Sequence, residues 1–301
     1  MVIQGILFGL AAAFCQSVCY ILSRFFVTRE GNSSPQLFVL SHVTMGGMAV
    51  VLLPFLHSSQ CPRIEAYLFP MLGAALFYLA GQAALFQTLR WTEASRVSPM
   101  LGLKILFLAL ITAAFLGQSL SVMRWSAVVL CVLAAFVLNY SGGSIPWQAV
   151  LSMLFCCLGY SLSDLSIGEL VERLREMGSF RGAAYGVCAT YVVTGAVGVA
   201  LLPFVKRDRL RRRAWYAALP VSISWFLAMV CLYASFKLIG VVPGNIMQST
   251  RGILSILLGG LIAHRGMTHI ESRVAAGVLW SRVGGAVLMF GAIVLYLVEA
   301  L

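Results

Sequence analysis

Two basic residues stand where charge is costly. Arg251 lies about a third of the way along the apolar stretch NIMQSTRGILSILLGGLI (245–262), and Lys104 lies in another apolar stretch beginning near residue 97. An arginine offers a planar fork of N–H donors that can hold a carboxylate or phosphate through two parallel hydrogen bonds, and a lysine adds a compact, mobile charge. The chemistry open to such a pair is recognition of an anion. Gln248, Ser255 and Gly259 fall three to four residues apart along the helical face that carries Arg251, a polar and uncrowded surface with room for a ligand. Asp164, which follows Tyr160 and Ser161, is the acid inside an apolar run, and it could serve as a proton-coupling acid or as a counter-ion.

Other side chains could line the same place. Tyr78 and Trp225 carry large rings with a polar handle and would either grip a ligand or pack against neighbours. Tyr20 is a further candidate. Gln82, one turn from Tyr78, and Gln16, in the middle of the first apolar run, would contact substrate or only donate hydrogen bonds between helices. His42 reads as core, and Cys15 with Cys19 has too few partners for a metal site.

The elements that hold these residues follow from composition. Of 301 residues, 60% are hydrophobic and only 10% are charged, whereas a soluble domain of this size needs roughly a quarter of its residues charged. Lipid must cover this chain. The formal charge of +11 would suggest nucleic acid in a soluble protein, but most of the basic residues lie between apolar runs, where they set topology and meet headgroups. No nucleic-acid partner is expected. All but one of the eight cysteines fall within apolar runs, with neither a disulfide framework nor zinc spacing. The first apolar run starts without a basic region or a cleavage site before it, so a removable signal or transit peptide is not expected.

Ten apolar runs are near the ~20 residues that cross ~30 Å of hydrocarbon as a helix: 2–26, 36–56, 66–89, 97–117, 123–140, 147–166, 182–204, 214–236, 242–263 and 282–299. They are long and continuous, unlike barrel strands, which predicts an all-α integral membrane protein of ten transmembrane helices. Turn-forming punctuation separates them, as in REGNSSP, SGGSIP and KRDRLRRR. Residues 266–281 are too polar to span and are expected to form a short helix on the membrane surface.

An internal repeat also emerges. Residues 84–118 slide onto 231–265 without a gap, at an offset of 147 that sets Arg90 on Lys237 and Lys104 on Arg251; Tyr78 falls on Trp225 in the same register. Five runs per half is an odd number, so the halves would be oppositely oriented in the bilayer. The expected organisation is a first five-helix repeat over 1–140, a linker over 141–145 and an inverted second repeat over 146–301.

With this layout, and with FLGQSLSVMRWSAVVLCVLAAFVLN (115–139) as a passage from the fourth run to the fifth, the chain resembles the ten-helix drug/metabolite transporter superfamily and, within it, the EamA-like proteins. Gln118 stands where family members commonly carry Glu. The resemblance implies a secondary transporter or exporter of small metabolites in the cell (inner) membrane, working by alternating access around a central cavity without a cofactor. In the sugar-phosphate and nucleotide-sugar branches of the superfamily, basic residues on the fourth and ninth helices bind anionic substrate. Lys104 and Arg251 match those helices and approximate depths. The sugar-phosphate members carry a second basic residue where Gly252 stands here, so the match alone does not secure a phosphate substrate, and both carboxylate- and phosphate-bearing metabolites stay open.

A cation at the centre of a spanning helix costs ~2.5–3.5 kcal/mol on insertion scales, so such residues normally face the protein interior or a wet cavity. The small-molecule substrate is therefore expected to be anionic, with export of neutral or zwitterionic metabolites such as amino acids as the alternative. A lipid-modifying membrane enzyme would need clustered acids, a metal site or a nucleophile with its base, and the sequence shows neither HExxH nor paired carboxylates. Orientation divides the indicators. Counting the loops with the run ends beside them, one side carries 13 Lys and Arg against 6 on the other, which places both termini outside, whereas the family resemblance places both in the cytoplasm.

Overall fold

The computed structural model describes residues 1–29, 32–88, 91, 100–115, 121–139, 146–206, 210–264 and 276–298. Its helices are α1 (Val2–Val27), α2 (Ser34–Leu56), α3 (Ile64–Thr88), α4 (Leu103–Phe115), α5 (Val122–Asn139), α6 (Trp147–Arg173), α7 (Ser179–Leu201), α8 (Arg212–Ile239), α9 (Val241–Ser249), α10 (Arg251–His264) and α11 (Ala276–Val298). Short 3-10 turns follow α6 and α7 at Arg175–Met177 and Leu202–Phe204. The regular structure of the described residues is entirely helical, as a bilayer demands of a chain that must satisfy its own backbone. Among these residues, six helices are long and apolar enough to cross a membrane: α1, α2, α3, α6, α7 and α8. The protein is an integral, multi-pass membrane protein.

Helices pack in pairs, most extensively α3 with α6, α1 with α8, α2 with α7, and α5 with α11. Lipid tails are as apolar as leucine, so close packing and buried hydrogen bonds have to hold such pairs. Gly46 and Gly195 let α2 and α7 touch backbone to backbone, since a Cβ on either would lie 2.6 Å from the Cα of the other. Hydroxyls then join neighbouring helices. Ser163 Oγ donates to Ala74 O at 2.8 Å between α6 and α3, and Ser224 Oγ donates to Cys15 O at 2.7 Å between α8 and α1. Arg181, in the first turn of α7, donates to Leu56 O at 2.9 Å and His57 O at 2.7 Å, supplying donors to the orphan carbonyls where α2 ends.

Several boundaries differ from those read in the sequence. Helix α6 runs on to Arg173 rather than stopping near 166, with Leu170 and Val171 buried and Arg173 Nε 2.7 Å from Glu169 Oε1 one turn back. The predicted ninth span is broken at Thr250. There Ser249 Oγ donates to Ile246 O at 2.6 Å and Thr250 Oγ1 donates to Met247 O at 2.7 Å, so side-chain hydroxyls compete for carbonyls that a continuous helix would use. The start of the fourth span carries a similar interruption, a turn at Leu101 and Gly102 just before α4. The expected surface helix over 266–281 does not hold at its C-terminal end, because 276–281 already belong to α11. The rest of that segment lies outside the described residues, as do Arg90, Gln118 and the 141–145 linker.

Candidate functional site

The two helix interruptions place the two basic residues alike. Arg251 is the first residue of α10 and Lys104 the second of α4, each just after a break. Helix N-termini present unpaired N–H groups and the positive end of the backbone dipole, so both cations add to a potential that already favours an anion. Serines on two other helices hold the two breaks. Ser17 Oγ on α1 lies 3.0 Å from Arg251 O and 2.8 Å from Ala13 O, and Ser161 Oγ on α6 lies 3.1 Å from Lys104 O and 2.7 Å from Cys157 O. Each serine thus shares one proton between its own helix and the carbonyl of a basic residue.

Between these helices lies a small cavity of about 40 Å³. Lys104 and Arg251 both line it and are almost fully buried, at 4% and 5% exposure. Lys104 Nζ sits 2.7 Å from Asp164 Oδ2 and donates to Gln248 Oε1 at 2.9 Å. Arg251 donates from Nη1 to Gln16 Oε1 at 2.9 Å, and among the described residues no carboxylate lies within ion-pair distance of it. Asp164, read from the sequence as a coupling acid or a counter-ion, thus sits as the counter-ion of Lys104, and among the described residues no acid sits beside Arg251.

Aromatic rings form much of the remaining wall. Tyr78 stacks on Tyr160 with centroids 6.1 Å apart and planes 18° apart, and Trp225 lies 6.2 Å from Tyr78 and 6.3 Å from Tyr20. Trp225 Nε1 donates to Tyr191 OH at 2.7 Å, so both the ring and its polar handle are fixed.

Of the residues singled out from sequence, Gln16, Tyr20, Tyr78, Lys104, Asp164, Trp225, Gln248 and Arg251 share this lining. Gln82 and Ser255 do not. Gln82 stands behind the wall, where its Oε1 accepts the Tyr160 hydroxyl proton and so orients that ring. Ser255 lies four residues beyond Arg251 on α10, roughly 6 Å along the axis, and its buried Oγ lacks a hydrogen-bond partner. Sequence reasoning passed over Tyr160, Tyr191 and Tyr233 as lining residues. A signal was available: Tyr160 stands one turn before Asp164 on the same helix face, and the other two put a hydroxyl in the middle of an apolar run.

Fold and site together define a multi-pass helical membrane protein with a buried, polar, aromatic-walled cavity. Residues 3–140 match the model of the EamA-like transporter family. The chain thus carries an EamA-like unit, in keeping with the drug/metabolite transporter superfamily, and that family is one of membrane transporters. No curated protein matches the sequence. A solved structure described only as "Crystal structure of protein" is similar in fold at a TM-score of 0.69 and 16% identity, covering 98% of this chain and 96% of that one. At that identity the likeness concerns the fold alone, and it extends beyond residue 140, where the family match ends.

Proposed function

We propose that the protein is a secondary transporter that carries a small organic anion by alternating access around the central cavity. The observation that supports this most is Arg251, a guanidinium buried at the start of α10, lining the cavity with one side-chain hydrogen bond and without an acid beside it among the described residues. A charge left so is costly unless a ligand completes it. An entering carboxylate takes up the remaining N–H groups of the fork and is desolvated against the aromatic wall.

The inverted repeat is the second part of the proposal, with halves at 1–140 and 146–301. Positions that the repeat makes equivalent lie together in space. Tyr78 and Trp225 are in ring contact, Lys104 and Arg251 line one cavity, and Gly46 meets Gly195 at nearly the same offset. The helix pairs fit too: a two-fold relation would exchange α1–α8 with α6–α3 and map α2–α7 onto itself. Superposing the halves tests it, and a separation of Lys104 from Arg251 beyond one turn, about 5.4 Å, would rule the repeat out.

Purified protein in liposomes tests the transport reading, with radiolabelled monocarboxylates, sugar phosphates and zwitterions offered separately. Uptake of an anion by the wild type and its loss in Arg251→Gln, with the variant still monodisperse, is the expected result. A native substrate without a negative group, or unchanged uptake in Arg251→Gln, would overturn the reading. The zwitterion arm is included because the aromatic faces around Tyr78 and Trp225 could also receive an ammonium group.

A further inference from the structure

The ion pair beside Arg251 carries a consequence for charge selectivity. We infer that Asp164 sets the valence of the transported anion, so that the site takes a monoanion with a flat or apolar body and refuses a dianion; this rests on the anion-transport reading above. Lys104 has two neighbours, Asp164 Oδ2 at 2.7 Å and Gln248 Oε1 at 2.9 Å, and its charge is cancelled where it stands. The cavity charge contributed by Lys104, Asp164 and Arg251 is therefore a single positive unit.

A bound monoanion brings that total to zero. A dianion leaves a negative charge buried among tyrosine rings and apolar side chains, and an uncompensated charge in such a place is strongly disfavoured. Positive charge alone does not make this site a phosphate site, because the lysine that could take the second charge is already held by its own carboxylate. The aromatic wall adds the other half of the specificity. Tyr78 and Trp225 share the cavity lining with Arg251, so the neutral part of the ligand is matched by aromatic area rather than by further charge.

Asp164→Asn keeps the shape of the side chain and removes its charge, which raises the cavity to two positive units. Benzoate and phthalate are suitable probes, since they share a ring and differ by one carboxylate. Their binding is read by thermal shift and by tryptophan fluorescence on the purified full-length protein, and their uptake in liposomes. Wild-type protein should prefer benzoate, and Asp164→Asn should move the benzoate-to-phthalate preference toward phthalate by at least about tenfold.

The double variant Lys104→Gln/Asp164→Asn restores the original net charge and covers the case in which the single variant does not fold. It should again prefer benzoate. Wild-type protein that binds phthalate as tightly as benzoate, or binds neither, overturns the inference. So does an unchanged preference in Asp164→Asn, or a phthalate preference in the double variant. Arg251→Gln separates the two levels of argument: loss of all anion binding there with unaltered valence preference in Asp164→Asn sinks the role of Asp164 and leaves the anion site standing, whereas full binding in Arg251→Gln sinks the anion site itself.

Discussion

Lys104 and Arg251 begin their helices in the same way, each after a break and each with its carbonyl held by a serine of another helix, yet one has an acid at 2.7 Å and the other a glutamine at 2.9 Å. Equal backbone settings therefore carry unequal electrostatics. The Lys104 side is closed on itself, with its charge and its counter-charge both supplied by the protein. The Arg251 side is open: among the described residues no acid lies within ion-pair distance of it. If the two halves descend from one repeat, the difference between them lies in Asp164, a single side chain on α6. On the transport reading proposed above, one of two paired cations without an acid beside it is a physical reason to look for the ligand at the arginine.

The largest expected effect follows from breaking the closed side. Lys104→Met strands the Asp164 carboxylate at 7% side-chain exposure, and removing one partner of a buried ion pair typically costs about 3–5 kcal/mol. A clear drop in the melting temperature of the purified protein should result, and most of it should return in Lys104→Met/Asp164→Asn, where no charge is left alone. A single variant as stable as wild type would mean that Asp164 is satisfied by something other than Lys104.

A smaller effect of opposite sign is expected on the open side. Arg251→Gln removes a buried cation that has no acid beside it among the described residues, so stability should stay level or rise by about 1 kcal/mol while transport is lost, the usual exchange of stability against function at a site. Calorimetry on the two variants side by side reads the contrast directly. A loss as large as that of Lys104→Met would place a hidden counter-ion next to Arg251 and close the difference between the halves.

Much of this contrast was legible in the sequence, and the missing part has a definite cause. Composition and run length suffice for a helical membrane protein, because lipid constrains every spanning residue in the same direction. Lys104 and Arg251 stand out for the same reason, as charges in places where charge is expensive. What pairs with each is a matter of which helices meet. Asp164 is 60 residues from Lys104 in the chain, and nothing in the local pattern says that α6 packs beside the start of α4. The break at Thr250 escaped for another reason: its cause is a pair of hydroxyls turning onto their own backbone, and Ser249 and Thr250 are equally compatible with an intact membrane helix. Ser255 shares the helical face of Arg251 on α10, one turn further on, and lies outside the cavity lining.

The smallest expected effect tests the part of the comparison in which the two sides agree. Ser17→Ala and Ser161→Ala each remove a hydroxyl whose proton is shared between a carbonyl of its own helix and the carbonyl of a basic residue. An ordinary buried hydrogen bond is worth about 1 kcal/mol net, and here the carbonyl of the serine's own helix is also the acceptor of a helical N–H, so only the bond across helices is fully lost. Because that bond is made to backbone and not to the charged group, the two substitutions should cost nearly the same despite the very different surroundings of Lys104 and Arg251. Chemical or thermal unfolding of the two variants in one detergent provides the comparison. Two small and equal losses would mean that the breaks are mechanically alike and that the halves differ only in charge. A loss in Ser161→Ala approaching that of Lys104→Met would show instead that the serine holds the Lys104–Asp164 pair in register, and the asymmetry would then reside in the backbone of α4 as well as in Asp164.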